Sequence, residues 1–404
     1  MDHVLSPKRP GNFTYTTITM IQAKKKLNLL KIASNFIVGA DVASIEPYGS
    51  GHINDTYYIN NTNKEDPGYL LQRINHRVFK DIPSLINNIH LVTNHLRSKL
   101  KEIPGADPDK EVLSLVMTND HSYYFSDERG NYWRMYKYLK NTKSIDIVQT
   151  NEQAFEGGKA FGKFQMLLFD LDINLLNYTI PAFHHIGLRL TRLNTSLQTD
   201  PLDRKKTVAA EVEFIQHRVE HMCAILNLGR EGGLPLRITH NDTKFNNILL
   251  DENDQAQCVI DLDTVMPGYV AYDFGDAIRS IINTAPEDEA DLNKISLNIP
   301  LFEAFTRGYL QESAGFLTEN EIRSLPLSVL LFPYMQGVRF LTDYLNGDVY
   351  YKTHVPDHNL QRARAQFQLL RKLEEQYAKI EGFIWQAANT HLNKDINTNR
   401  SEAV

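Results

Sequence analysis

Cysteine is scarce: Cys223 and Cys258 are the only two in 404 residues. That excludes a disulfide framework as the source of stability. A basic excess is also missing, since the formal net charge is -6, and a dedicated nucleic-acid binder would show a basic face. A phosphate-rich ligand stays open, because local basic residues and a divalent cation can hold one. Long apolar runs are absent too. The longest, Leu325 to Met335, contains Pro326 and Pro333 and falls short of a membrane span. Near the start, Lys8 and Arg9 lead into Pro10, Gly11 and a Thr-rich stretch in place of the apolar segment of a secretory signal. Repeats and low-complexity tracts are not seen. The expectation is a soluble, cytoplasmic chain with no membrane or nucleic-acid partner. With 42% hydrophobic residues it can bury a core larger than one small domain needs.

What the chain does contain is His240-Asn241-Asp242-Thr243-Lys244-Phe245-Asn246-Asn247, and then Val259-Ile260-Asp261-Leu262-Asp263. The pattern is His-x-Asp-x-x-x-x-Asn, with a further Asp closing an apolar strand 19 residues after Asp242. Protein-kinase-like phosphotransferases use this order: a loop Asp beside the attacking hydroxyl, a loop Asn on magnesium and a later Asp on magnesium. A polar turn between buried elements would explain one such residue. It would not explain all four positions around an apolar hairpin.

Periodicity divides the rest into two lobes. Residues 1–23 form an extension, 24–140 an N-terminal nucleotide-binding lobe, 141–392 a larger lobe with the catalytic loop, metal and substrate site, and 393–404 a polar tail. The N-terminal lobe reads as a helix from Lys24 to Phe36, a strand from Val42 to Tyr48, the loop Gly49-Ser50-Gly51 and a returning strand at Thr56–Ile59. Tyr69–Gln72 is a third strand, and Pro83–Leu100 an amphipathic helix carrying Leu85, Ile89, Val92 and Leu96. Strands at Leu113–Met117, Ser122–Phe125 and Tyr132–Leu139 complete an antiparallel sheet. The second lobe reads as helices over Glu152–Phe169, Thr207–Leu226, Phe302–Leu310, Glu319–Leu331, Gln336–Leu345 and Gln361–Trp385. Between them lies a hairpin of Ile248–Leu250 and Gln257–Asp261. Gly157, Gly158 and Gly162 are read as close-packing residues. The fold class is therefore α+β: a bilobal protein-kinase-like fold, with an N-terminal antiparallel sheet lobe carrying one main helix and a larger, mostly helical C-terminal lobe.

Each candidate has a chemical reason. Asp242 orients the acceptor hydroxyl or accepts its proton. Asn247 offers a neutral oxygen to magnesium, and Asp261 an anionic one. Lys244 is placed to meet charge on the transferred group, or is a solvated loop lysine. His240 holds the loop. Asp263 is a second metal carboxylate or a turn residue. Asp273, inside Asp273-Phe274-Gly275, caps a helix beginning near Asp276 and braces the loop. Gly49, Ser50 and Gly51 can lie over phosphates because a glycine backbone approaches closely. His52 and Asn54 at the loop exit either reach ligand or bond the loop. A strand lysine paired with a helix glutamate is expected in protein kinases. Here the strand offers Gln72 or Arg73, and the helix Pro83–Leu100 has no acid. Gln72 and Arg134 are the candidates for holding the phosphates, Arg134 being otherwise a surface charge. The acidic run Glu287-Asp288-Glu289 reads as a solvated loop.

The chain resembles the aminoglycoside phosphotransferase/choline kinase superfamily and, within it, the N-acetylhexosamine 1-kinase branch. The resemblance covers residues 27–385. It rests on Ile45 through Asn54, Thr239 through Leu249, Ile260 through Gly268, and Arg339-Phe340-Leu341-Thr342-Asp343-Tyr344-Leu345 with Gly347-Asp348. His90 stands where that branch has a helix acid. The resemblance implies ATP- and magnesium-dependent phosphorylation of the anomeric hydroxyl of N-acetylglucosamine or N-acetylgalactosamine. Arg339, Asp343, Tyr344 and Asp348 are then sugar-pocket residues or, alternatively, a helix–helix interface sealed by an Arg–Asp pair; with His52, Asn54 and Asp242 they are the substrate candidates. Residue reading alone carries phosphoryl transfer to a small alcohol. A kinase of an amino alcohol, hydroxylysine, homoserine or aminoglycoside, and a catalytically silent nucleotide-binding scaffold, are the alternatives.

Overall fold

A computed structural model describes residues 28–401, apart from residues 40, 50, 52, 64, 66 and 67, with side chains to residue 392. The extension 1–23, Ser50 and His52 lie outside the described residues. The chain forms two compact units: one ends at Ile82 and takes in Ser114–Leu139, and the other holds Pro83–Leu113 and the residues from Lys140 on.

The first unit begins with a short helix, α1, over residues 28–33. Strands β1 (Val42–Pro47), β2 (Asp55–Asn61) and β3 (Tyr69–Ile74) follow. After helices α2 (Ile82–Leu100) and α3 (Pro108–Glu111) come β4 (Phe125–Ser126) and β5 (Tyr132–Lys137). The strands pair antiparallel in the order β1-β2-β3-β5-β4. Alternation gives each face its own role. Tyr57, Ile59, Leu71, Trp133 and Met135 pack with Leu29, Ile32 and Phe36 in one core. Thr56, Gln72 and Arg134, in register across β2, β3 and β5, share the other face. The expected strand at Leu113–Met117 is not a ladder. It makes a single bridge from Leu115 to Tyr136, further along β5 than the positions Tyr132 and Trp133 that β4 takes.

The sequence places helix α2 in the N-terminal lobe, yet all but its first residue groups with the second unit. Its fully buried Asn88 explains this, donating to the carbonyls of Asn177 (2.7 Å) and Val265 (3.0 Å) and accepting from Asn177 N–H (2.9 Å).

The second unit continues with α4 (Asn151–Leu167), α5 (Ile186–Thr199), α6 (Ala209–Gln216), α7 (Val219–Met222) and α8 (Ala224–Arg230). Short strands β6 (Arg237–Thr239), β7 (Ile248–Leu250), β8 (Ala256–Val259) and β9 (Met266–Gly268) come next. Helices α9 (Val270–Ile282), α10 (Ile299–Ser313), α11 (Glu319–Leu345), α12 (His358–Glu375) and α13 (Tyr377–Ser401) complete it. The single helix expected over Thr207–Leu226 is thus three, and the one over Gln361–Trp385 breaks at Gln376. The two helices expected either side of Pro333 are one. A capping box of Thr318 and Glu321 starts α11, and burial along most of its length carries it through Pro326 and Pro333. The close-packing glycines of α4 are as expected: a Cβ on Gly158 would lie 2.1 Å from the Phe305 carbonyl oxygen, and one on Gly162 2.5 Å from that of Tyr309. Among the described residues no helix is long and apolar enough to cross a membrane.

Candidate active site

The turn that carries the candidate chemistry leaves β6, which pairs antiparallel with β9. One buried carboxylate shapes it. Asp273 Oδ2 accepts from the His240 backbone N–H (2.8 Å) and from Gln165 Nε2 (2.7 Å), and Oδ1 accepts from the Asn241 N–H (2.7 Å). The Thr243 hydroxyl donates to the Asp273 carbonyl at 2.5 Å. Burial pushes the Asp273 carboxyl up from the ordinary carboxylate range, and His240 with the donated N–H bonds opposes that push. Asp273 braces the loop as expected. It does so from inside the first turn of α9, which starts at Val270, and not as a cap before Asp276.

His240 is fully buried and locks the turn to the next strand. Its Nε2 donates to the Ile260 carbonyl (2.8 Å), and Nδ1 accepts the Asp242 backbone N–H (3.3 Å). Phe161 and Phe164 stand edge-on to its ring. The next side chain, Asp242, is set against Lys244, whose Nζ lies 2.9 Å from Oδ1. Burial alone would raise the Asp242 carboxyl; Lys244, His240 and Arg279 outweigh it and hold the group below the ordinary carboxylate range. Burial would lower the Lys244 amine, but Asp242 and Asp276 more than offset it, so the amine stays cationic.

Asn247 Nδ2 donates to the Asp242 carbonyl (2.7 Å) and lies 3.4 Å from its Oδ2. A cation would therefore be taken by Oδ1. Past β8, the Ile260 N–H donates to the Asn247 carbonyl (2.9 Å). The following residue, Asp261, takes left-handed backbone angles (φ 58°, ψ 55°), uncommon for a residue with a side chain. The bond from Ile260 to Asn247 extends the antiparallel pairing of β7 with β8, so the stretch bearing Asn247 and the stretch bearing Asp261 are tied together. Among the described residues no three His, Cys, Asp or Glu side chains gather to hold a metal ion. An amide oxygen and a carboxylate are the ligand types a hard cation takes, and they would leave its other positions for further oxygen ligands. Asp263 is buried just beyond.

In the first unit, Gly49 adopts φ 75° with open space around its Cβ position. Gln72 is held at both ends, donating to Thr56 Oγ1 (3.0 Å) and accepting from Arg134 Nε (2.9 Å). Arg134 is buried and stacks over Tyr136, which rules out the surface-charge reading. Arg73 points to the opposite sheet face and pairs with Asp55. Asn54 Oδ1 accepts the Asn75 N–H (3.0 Å), so it serves the loop.

A histidine and two arginines run out from the His240–Asn247 turn. His184 Nε2 donates to the Asn241 carbonyl (2.9 Å), while its buried Nδ1 has no hydrogen-bond partner. Burial pushes this imidazole down to about 4, so it is neutral. Arg189 and Arg339 both lie close enough to lower it further. Arg189 donates to the Phe183 carbonyl (2.6 Å) and keeps a buried Nε–H without a partner. Arg339 donates to Gln336 Oε1 (2.9 Å) and lies 5.7 Å over the Tyr351 ring, whose buried hydroxyl is also unpartnered. Both arginines thus donate to neutral oxygens, a carbonyl and an amide. Burial and the Arg339 charge bring Arg189 down to about 10. The nearby carboxylates belong to Arg279, which bonds Asp276 (3.3 Å) and Glu287 (2.8 Å).

Three expected sugar-pocket residues have other work. Asp343 accepts the backbone N–H groups of Val349, Tyr350 and Tyr351 and the Asn359 amide, so it shapes the loop bearing Tyr351. Asp348 bonds Arg204 (2.8 Å) and Asn359, and Tyr344 lies beneath the Arg204 guanidinium. The acidic run is not simply solvated either: Glu287 pairs with Arg279, and Asp288 with His358.

Residues 44–311 match the model of the phosphotransferase enzyme family known as APH. The chain belongs to this family. Solved structures with the same kinase-like fold, a sheet-bearing N-terminal part followed by a larger helical part, include an amicoumacin kinase in complex with AMP-PNP, Ca2+ and Ami. Over 88% of this chain and 96% of that one it has 11% identity and a TM-score of 0.57. An aminoglycoside phosphotransferase from Alicyclobacillus acidocaldarius has 13% identity over 87% and 96%, TM-score 0.55. A Plasmodium vivax ethanolamine kinase has 14% identity over 90% of each chain, TM-score 0.51.

For this phosphotransferase, sequence reasoning missed His184, Arg189, Arg204 and Asp276. The three-residue spacing of Asp276 and Arg279 on one helix was a visible signal for an ion pair. Nothing local marked Arg189, which lies on α5, a helix not anticipated.

Proposed function

We propose that this phosphotransferase moves the γ-phosphoryl group of ATP to the anomeric hydroxyl of N-acetylglucosamine or N-acetylgalactosamine, with magnesium as the cation. The observation carrying the acceptor choice is the pair Arg189 and Arg339, two guanidiniums bonded to neutral oxygens beside the histidine that holds the catalytic turn. An ammonium acceptor would meet two cations there. A neutral sugar offers hydroxyl and acetamido oxygens to the arginine forks and a flat face to Tyr351. The amino-alcohol alternative would need Asp276 and Glu287, and Arg279 already bonds both.

In this reading Asp242 accepts a hydrogen bond from the acceptor hydroxyl and takes its proton as the oxygen bonds to phosphorus and the bond to the ADP oxygen breaks. Its depressed pKa makes orientation the larger part of that role. Lys244 balances the charge of the transferred group. Asn247 Oδ1 and Asp261 would hold magnesium, which when bound offsets charge on the β- and γ-phosphate oxygens. Arg134, with its plane set by Gln72, and the backbone of Gly49, Ser50 and Gly51 would hold the nucleotide phosphates.

Incubation with MgATP and a panel of hexosamines, choline, ethanolamine and homoserine, read by NMR of the product, tests the proposal. A sugar 1-phosphate is expected. A 6-phosphate, or phosphorylation of amino alcohols alone, would reject it. No cation-dependent product at all would leave a nucleotide-binding scaffold.

A further inference from the structure

The second unit contains a cavity of about 340 Å³ that the proposed reaction does not use. Its walls are Leu96 and Leu100 of α2, Phe164 and Leu167 of α4, and Val259 and Leu262 on either side of Asp261. Cys258 also faces it, and burial pushes that thiol up to about 12, so it acts as a small apolar group. The charged side chains of the lining include two ion pairs, Lys159 with Glu156 (3.0 Å) and Lys163 with Glu111 (2.7 Å). None of the buried polar atoms lacking a partner belongs to this lining.

These features decide what would fit. The volume is more than twice the roughly 150 Å³ of an engineered apolar cavity that stays dry and binds benzene, and it falls within the range of small-molecule pockets, about 300–1,000 Å³. Lining carboxylates (Glu111, Glu156, Glu312) outnumber amines (Lys159, Lys163), so an anionic head group is disfavoured. We infer that this cavity is a binding site for an uncharged, mostly apolar small molecule the size of a two-ring aromatic, and that its occupant alters cation binding at Asn247 and Asp261. The second half rests on the assignment of the metal to those two residues.

The route is short. Val259 and Leu262 form the wall, and between them Ile260 donates to the Asn247 carbonyl (2.9 Å) and accepts from His240 (2.8 Å). An occupant that displaces either wall residue bears on both bonds, and with them on the spacing of the two oxygen ligands.

The uncharged naphthalene dye Prodan is a suitable probe. Titrated into the full-length protein, its emission should shift to the blue and saturate. Ala160→Phe and Leu100→Trp, which fill the cavity from two different helices, should each weaken binding about tenfold or more while retaining the wild-type circular dichroism. Saturating dye should change the magnesium activation constant of turnover about fivefold or more. No saturable binding, or equal binding to the folded filled variants, would overturn the site. Binding with an unchanged magnesium constant would overturn the coupling. A protein that binds the dye but has no cation-dependent turnover would refute the metal assignment and leave the cavity standing.

Discussion

Lys244 Nζ stands 2.9 Å from Oδ1 of Asp242, and this contact fixes the charge state of the turn. The carboxyl is held below the ordinary range although it is buried, so Asp242 is an anion throughout the neutral region. A depressed carboxylate adds stability above its unfolded pKa and loses it as pH falls through the folded value. Because kcat/KM follows the ionisation of the free enzyme's base, its acid limb should also lie below the ordinary carboxylate range. Lys244→Met should move that limb upward. A pH–rate profile with an unmoved limb in the variant would show that Lys244 does not set the charge.

Asp242→Asn keeps the shape of the side chain and removes the base. It should melt near wild type and lose about 10²–10⁴ in kcat, with nucleotide affinity little changed by calorimetry. Unaltered turnover would end the assigned role.

Asp273 tests the scaffold behind the turn. Asp273→Ala strands the buried N–H groups of His240 and Asn241, at about 1–3 kcal/mol each. Denaturant unfolding should show a loss of that order together with loss of activity. A variant as stable as wild type would mean that the carboxylate is not the brace.

Two glycines give opposite expectations. In Gly158→Ala the new methyl would sit 2.1 Å from a carbonyl oxygen of α10, so the helices must separate, at about 1–3 kcal/mol. Gly382→Ala meets nothing within 4 Å in α13 and should stabilise by about 0.4–1 kcal/mol. Thermal melts of the pair, moving in the same direction, would contradict this packing.

Asp343→Asn is expected to act through Tyr351. Replacing one acceptor oxygen by an amide N–H leaves at least one of the three loop N–H groups unbonded. The KM for the acceptor should rise while the KM for ATP stays within about twofold, against the fivefold or larger couplings typical of linked sites. Equal effects on both would indicate general loosening of the fold.

Much of this protein is legible in its residue order. The succession Asp242, Asn247, Asp261 lies within twenty residues, and its spacing is visible in the chain itself. The close packing of Gly157 and Gly158 is legible in the same way. A helix that gives up two side chains on its buried face does so where a neighbour comes near.

The rest was decided by contacts between residues far apart in the chain. Arg189 and Arg339 are 150 positions apart, and no periodicity marks side chains that meet across separate helices. Asp343 read as a ligand contact because nothing in its vicinity announced that a loop would fold back and saturate it. Helix α2 carries the same amphipathic stripe whichever unit it joins; buried Asn88, bonded to backbone nearly ninety and more positions away, settled which. Residue order prescribed the groups that perform chemistry, and packing chose the charges that surround them.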